Sequence, residues 1–90
     1  MELERKKELA LKYDFTQSRL WENKAGYEII SPKQVYYINK LINADKNAMR
    51  VYTDIIELFM LLELPSHIAS LIKSQAMFLI NRINEKMESA

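Results

Sequence analysis

Ninety residues, with 13 Lys and Arg against 12 Asp and Glu and a formal charge of +1, read as a single domain, 1–90, with a thin core. Cysteine is absent, which excludes disulfides, thiolate nucleophiles and cysteine-based zinc sites. One Gly and two Pro are too few for the frequent turns of a sheet protein, so the expected class is all-α.

The opening residues, Met1-Glu-Leu-Glu-Arg-Lys-Lys, alternate acid and base with no apolar run behind them, unlike a secretory signal. From Glu2 to Asn23 the chain is charged and weakly periodic. Leu9, Tyr13, Thr16 and Leu20 form a narrow stripe with Phe15 and Trp21 beside it. Asp14, with Gln17 three residues on, has the spacing of a helix cap. The segment reads as one frayed helix or two short ones. Lys24-Ala25-Gly26 would stop it, because Gly tolerates the left-handed backbone past a last turn.

Tyr27 to Ile30 reads as a short extended connector into the clearest local signal, Ser31-Pro32-Lys33-Gln34. Ser31 can cap a helix, Pro32 fits its first position, and Gln34 can reach back to the backbone of the cap. Ile30 and Val35 have the spacing of a hydrophobic staple. Beyond this start, Asn43, Asp45 and Asn47 are poor helix formers and can mark a turn. Against a turn, Tyr37, Leu41, Ala44, Ala48, Val51, Ile55, Leu58 and Leu62 recur at steps of three and four straight through that cluster. The periodicity favours one long helix, 32–63, ended by Pro65, which pushes the residue before it out of helical geometry. A last helix over 66–87 carries Ile68, Ile72, Ala76, Leu79 and Ile83 on one face. The expected fold is a small helical bundle: a hairpin of helices 32–63 and 66–87, with the N-terminal helical region packed across it.

No arrangement suited to catalysis emerges. Adjacent side chains on a helix do not face each other, so Ser66 and the single histidine, His67, are not a nucleophile and its base. Glu63 and His67 are four apart, but Pro65 lies between them and breaks the helix that would align them as metal ligands. There is no Gly-rich phosphate loop. A non-enzyme with no cofactor, no metal and no small-molecule substrate is expected. The longest apolar stretch, Ile55 to Leu64, holds Glu57 and Glu63 and is too short to span a bilayer. A soluble, cytoplasmic protein is therefore expected.

That same stretch is apolar around most of the helix circumference, and such a helix must be covered on several sides. Either it is the end of a central helix, or part of it faces a partner or a second copy. The candidate interface residues are Ile55, Ile56, Phe59 and Met60, with Met77, Phe78 and Ile80 from the last helix. Charge is also unevenly placed. From Lys24 to Thr53 five basic residues face two acids, whereas Ile55 to Leu64 and its preceding Asp54 carry only acids. On one continuous helix Lys33, Tyr36, Lys40, Asn43, Asn47 and Arg50 would share the face opposite the apolar stripe, with Lys46 nearby. Cations for phosphates, a ring for stacking and amides for polar contacts suit a nucleic-acid backbone; an ordinary solvated face has the same pattern.

By size and architecture the chain resembles small helical subunits of nucleoprotein machines, such as the small subunits of multi-subunit CRISPR effectors and the accessory subunits of replicative polymerases. The resemblance rests on no motif. The function these readings lead to is a non-catalytic accessory or adaptor subunit acting through protein–protein association, as a homo-oligomer or in a larger assembly. The alternative is a small nucleic-acid-binding protein that contacts the phosphate backbone without sequence specificity.

Overall fold

The computed structural model describes residues 2–16 and 27–88. Within them lie four α-helices, α1 (Glu2–Lys12), α2 (Pro32–Ala44), α3 (Lys46–Leu61) and α4 (Lys73–Glu88), and a 3-10 turn over Ile68–Ser70. The chain forms the small all-α bundle expected of it. Its ends and corners, however, are set by hydrogen bonds that periodicity does not reveal.

α1 stops at a left-handed residue. Asp14 takes φ 50°, which lets the Phe15 N–H reach back to the Ala10 carbonyl at 2.8 Å and the Asp14 N–H to Leu11 at 3.3 Å. This paired return is the Schellman ending, and it satisfies carbonyls that a helix end leaves open. Asp14 thus closes a helix; Gln17, its proposed capping partner, lies outside the described residues, as do Leu20, Trp21 and Lys24-Ala25-Gly26. Leu9, Tyr13 and Phe15 are buried, while Thr16 is exposed.

α2 begins as its sequence requires. Ser31 Oγ accepts the Gln34 N–H at 3.2 Å, and Gln34 Oε1 accepts the Ser31 N–H at 3.1 Å. The connector before it is extended and tied to the far end of the chain. Ile29 and Ile72 form an antiparallel bridge, in which Ile30 N–H donates to Leu71 O and Lys73 N–H to Glu28 O, both at 2.8 Å.

The single helix expected over 32–63 is two helices. Asp45 takes extended backbone, φ −148° and ψ 131°, and its carboxylate accepts the Asn47 N–H at 2.7 Å and the Ala48 N–H at 3.4 Å. It is the N-cap of α3, so the chain turns there. A continuous helix of that span would be about 48 Å long, longer than the molecule, whose greatest extent is 33 Å. α2 instead folds back on α3, and the Ile30–Leu71 bond returns its far end to the start of α4. α2 buries Ile38, with Val35, Leu41 and Ile42 partly buried beside it, whereas Tyr37 and Ala44 from the unbroken stripe are exposed.

α3 is the central helix and packs against each of the other three. Ala48, Val51, Ile55, Leu58 and Phe59 are its buried residues. It ends in a second Schellman return: Glu63 takes φ 59°, with Leu64 N–H on Phe59 O at 2.9 Å and Glu63 N–H on Met60 O at 3.1 Å. Pro65 follows directly and prevents continuation. The last helix starts at Lys73, later than the expected Ser66. The intervening residues form the 3-10 turn, then extended Leu71. The reason is Gln75, which is fully buried. Its Oε1 accepts the Ile72 N–H at 3.0 Å and its Nε2 donates to Pro65 O at 2.8 Å. Ile72 has no side-chain oxygen, so Gln75 supplies half of a capping box and pins the turn to the helix.

Phe15, Phe59 and Phe78 close the core, with ring centroids 5.9 Å (Phe15–Phe59), 5.1 Å (Phe15–Phe78) and 6.4 Å (Phe59–Phe78) apart. The Phe59–Phe78 contact, with α4 leaving the end of α3, sets these two helices antiparallel.

Candidate interaction surfaces

α1 lies on α3 through a charged seam around Leu9. The Arg5 guanidinium donates to both Glu57 oxygens, Nε to Oε2 at 2.9 Å and Nη2 to Oε1 at 3.1 Å, and lies 3.7 Å from Asp54. Lys12 Nζ and the Tyr13 hydroxyl both donate to Asp54 Oδ2, at 3.2 and 2.6 Å. The hydrogen bond from Arg5 holds the Glu57 carboxyl below its ordinary range. The Tyr13 phenol is pushed up, first by burial and then by its bond to Asp54, while the charges of Arg5 and Arg50 pull the other way. Arg50 stands one turn before Asp54 on α3, on the same helix face.

Arg82 on α4 holds the end of α1. Its Nε donates to Tyr13 O at 2.6 Å and its Nη2 reaches Asp14 O at 3.5 Å, while its guanidinium lies 4.6 Å from the centroid of the Phe78 ring. A cation at a helix C-terminus meets both the open carbonyls and the helix dipole. Sequence reading missed Arg82, and also the seam. One signal was present: Arg5, Leu9 and Lys12 share a face, which is a cation on either side of an apolar anchor.

The seam accounts for the acidic end of the charge pattern. Asp54 and Glu57 neutralise α1, Glu28 pairs with Lys73 at 2.8 Å, and Asp45 caps α3. The carboxylates near the basic half are thus engaged elsewhere. Among the described residues, Lys33, Lys40, Lys46 and Arg50 make no ion pair.

All seven residues of the proposed basic track, Lys33, Tyr36, Lys40, Asn43, Lys46, Asn47 and Arg50, are exposed, but they do not form one straight line. Lys33, Tyr36, Lys40 and Asn43 follow the outer face of α2. Asn43, Lys46 and Asn47 gather at the Asp45 corner, and Arg50 lies beyond it. Tyr37, which the apolar stripe had assigned inward, is on the outer surface.

The proposed protein interface divides differently. Ile55, Phe59 and Phe78 are buried core and not available to a partner. The reason is the central position of α3, which has neighbours on several sides. Ile56 and Ile80 are partly buried against the core. Met60 and Met77 are exposed, at 60% and 54%. Met60 follows Phe59 and Met77 precedes Phe78, and these two rings touch, so the methionines lie at the same level of the antiparallel pair.

His67 is exposed and precedes the 3-10 turn, where its carbonyl accepts from the N–H and hydroxyl of Ser70. No group of three or more His, Cys, Asp or Glu among the described residues is placed to hold a metal. No helix among them is long and apolar enough to cross a membrane. Comparison with known proteins finds no matching family model, no matching curated relative and no matching solved structure.

Proposed function

We propose that the protein is a non-catalytic helical accessory or adaptor subunit that acts by association with another protein or a second copy of itself. The supporting observation is that Met60 and Met77 stay largely exposed although the core is already closed by the three phenylalanines. Ile56 is one turn from Met60 and Ile80 one turn from Met77, so each helix carries a methionine–isoleucine pair on one face. Methionine side chains adapt to irregular apolar partners and are common at interfaces. A chain without cysteine suits a reducing compartment, and we place its action in the cytoplasm.

The test is co-purification from the native host with the tagged protein and with a Met60→Glu/Met77→Glu variant, beside sedimentation of each. A stoichiometric partner, or a dimer, is expected with the native chain and should be lost with the double variant while helicity is kept. A monomer with no stoichiometric partner overturns the reading.

A further inference from the structure

We infer that the outer face of α2, continued at the Asp45 corner by Lys46, binds single-stranded nucleic acid. This is independent of the association proposed for the methionine faces of α3 and α4.

Lys33, Tyr36, Tyr37 and Lys40 stand at i, i+3, i+4 and i+7 of one helix, so each tyrosine neighbours both lysines on a common face. α2 buries the opposite side, Ile38, and leaves this one in solvent: Tyr36 is 70% and Tyr37 41% exposed, and both lysines are exposed. None of the four makes an ion pair or a side-chain hydrogen bond among the described residues, so no polar contact there accounts for them. α2 itself contains no Asp or Glu. The nearest acids in sequence, Glu28 and Asp45, are held by Lys73 and by the first turn of α3.

The face therefore presents cations about 10 Å apart along the helix, with aromatic rings between them, to an occupant that must supply both anions and flat apolar faces. A single-stranded nucleic acid does so, since its phosphates are anionic and its unpaired bases offer π-faces for stacking. In a duplex the bases are already stacked on one another, so the rings gain little there. An acidic peptide would use the lysines and leave the rings idle.

The test compares three probes by fluorescence anisotropy at low salt: a thymidine oligonucleotide of about 20 nucleotides, a duplex of equal length, and poly-glutamate of matched charge. The single strand should bind best, with a log–log salt slope of roughly −2 from Lys33, Lys40 and Lys46. Lys40→Ala should make that slope shallower by about 0.7. Tyr36→Ala should weaken single-strand binding roughly 5- to 150-fold, and Tyr36→Phe should restore most of it, since the ring alone stacks. Lys7→Ala, on α1, should leave binding unchanged. These side chains are exposed, so the variants are expected to fold, which circular dichroism checks. No binding of the single strand at low salt, equal binding of duplex or poly-glutamate, or indifference to Tyr36→Ala with Tyr37→Ala would each overturn the inference.

Discussion

Asp14 and Glu63 hold left-handed backbone, φ 50° and 59°, at the two helix ends where a glycine would be the unstrained choice. For an L-residue this conformation costs on the order of 1–2 kcal/mol; glycine avoids that strain, but its freer unfolded state offsets part of the gain. Glu63→Gly should therefore raise stability by up to about 1 kcal/mol in chemical denaturation, whereas Glu63→Val should lower it. Arg82 acts in the opposite sense, since a charged donor on Tyr13 O and a ring under the guanidinium are both lost on truncation. Arg82→Ala should cost about 1.5–3 kcal/mol, the range for hydrogen bonds to charged groups. Arg82→Lys should recover only part, because an ammonium cannot reproduce the planar fork. Core residues differ by burial: Leu58, fully buried, should lose about 2–5 kcal/mol on change to Ala, and half-buried Leu62 less.

Two elements depend on single polar residues. Asp45 separates α2 from α3, and its removal takes away a cap while leaving the helices on both sides. Asp45→Ala should cost about 0.5–2 kcal/mol without a fall in far-ultraviolet helicity, and Asp45→Asn should be nearly neutral. α1 is held to α3 in part by Glu57. Its folded-state pKa is lowered, chiefly by the hydrogen bond from Arg5, so the unfolded chain takes up the proton first as pH falls. The stabilisation is complete above the ordinary glutamate value of about 4.3 and is lost as pH drops through the folded value. Thermal unfolding of the native chain should therefore weaken more steeply between about pH 5 and 3 than that of Glu57→Gln. Parallel slopes would show that the seam does not hold α1.

At the scale of the molecule, a chain this short has a folding free energy of roughly 5–13 kcal/mol, so covering even a modest apolar face matters. If Met60 and Met77 meet a second copy of the chain, as proposed, the unfolding midpoint should rise with protein concentration, because association stabilises the native state by mass action. That dependence should vanish in Met60→Glu/Met77→Glu. Charge is also partitioned at this scale: carboxylates of α3 face α1, and the outer face of α2 keeps its cations unmatched. A net charge of +1 thus conceals a local excess of cations on the outer face of α2.

What the sequence by itself determined is local. The scarcity of Gly and Pro made the class helical, Ser31 and Gln34 set the start of α2, Pro65 blocked the continuation of α3, and Leu9 and Tyr13 marked the buried side of α1 and its end. Each is legible because its cause lies within one or two helical turns. The corner at Asp45 was not legible in the same way. Apolar residues kept phase across it, and the folded-back arrangement combines the Asp45 cap with burial of Ile38 and the Ile30–Leu71 bond, the last two of which exist only in the folded chain. The late start of α4 likewise rests on Gln75 reaching Pro65, ten residues away. Tertiary packing also decided that Ile55, Phe59 and Phe78 belong to the core while Met60 and Met77 do not. Periodicity reports that a helix has an apolar side, but how much of its circumference neighbours cover is a sum over distant contacts, and that sum exists only in the folded chain.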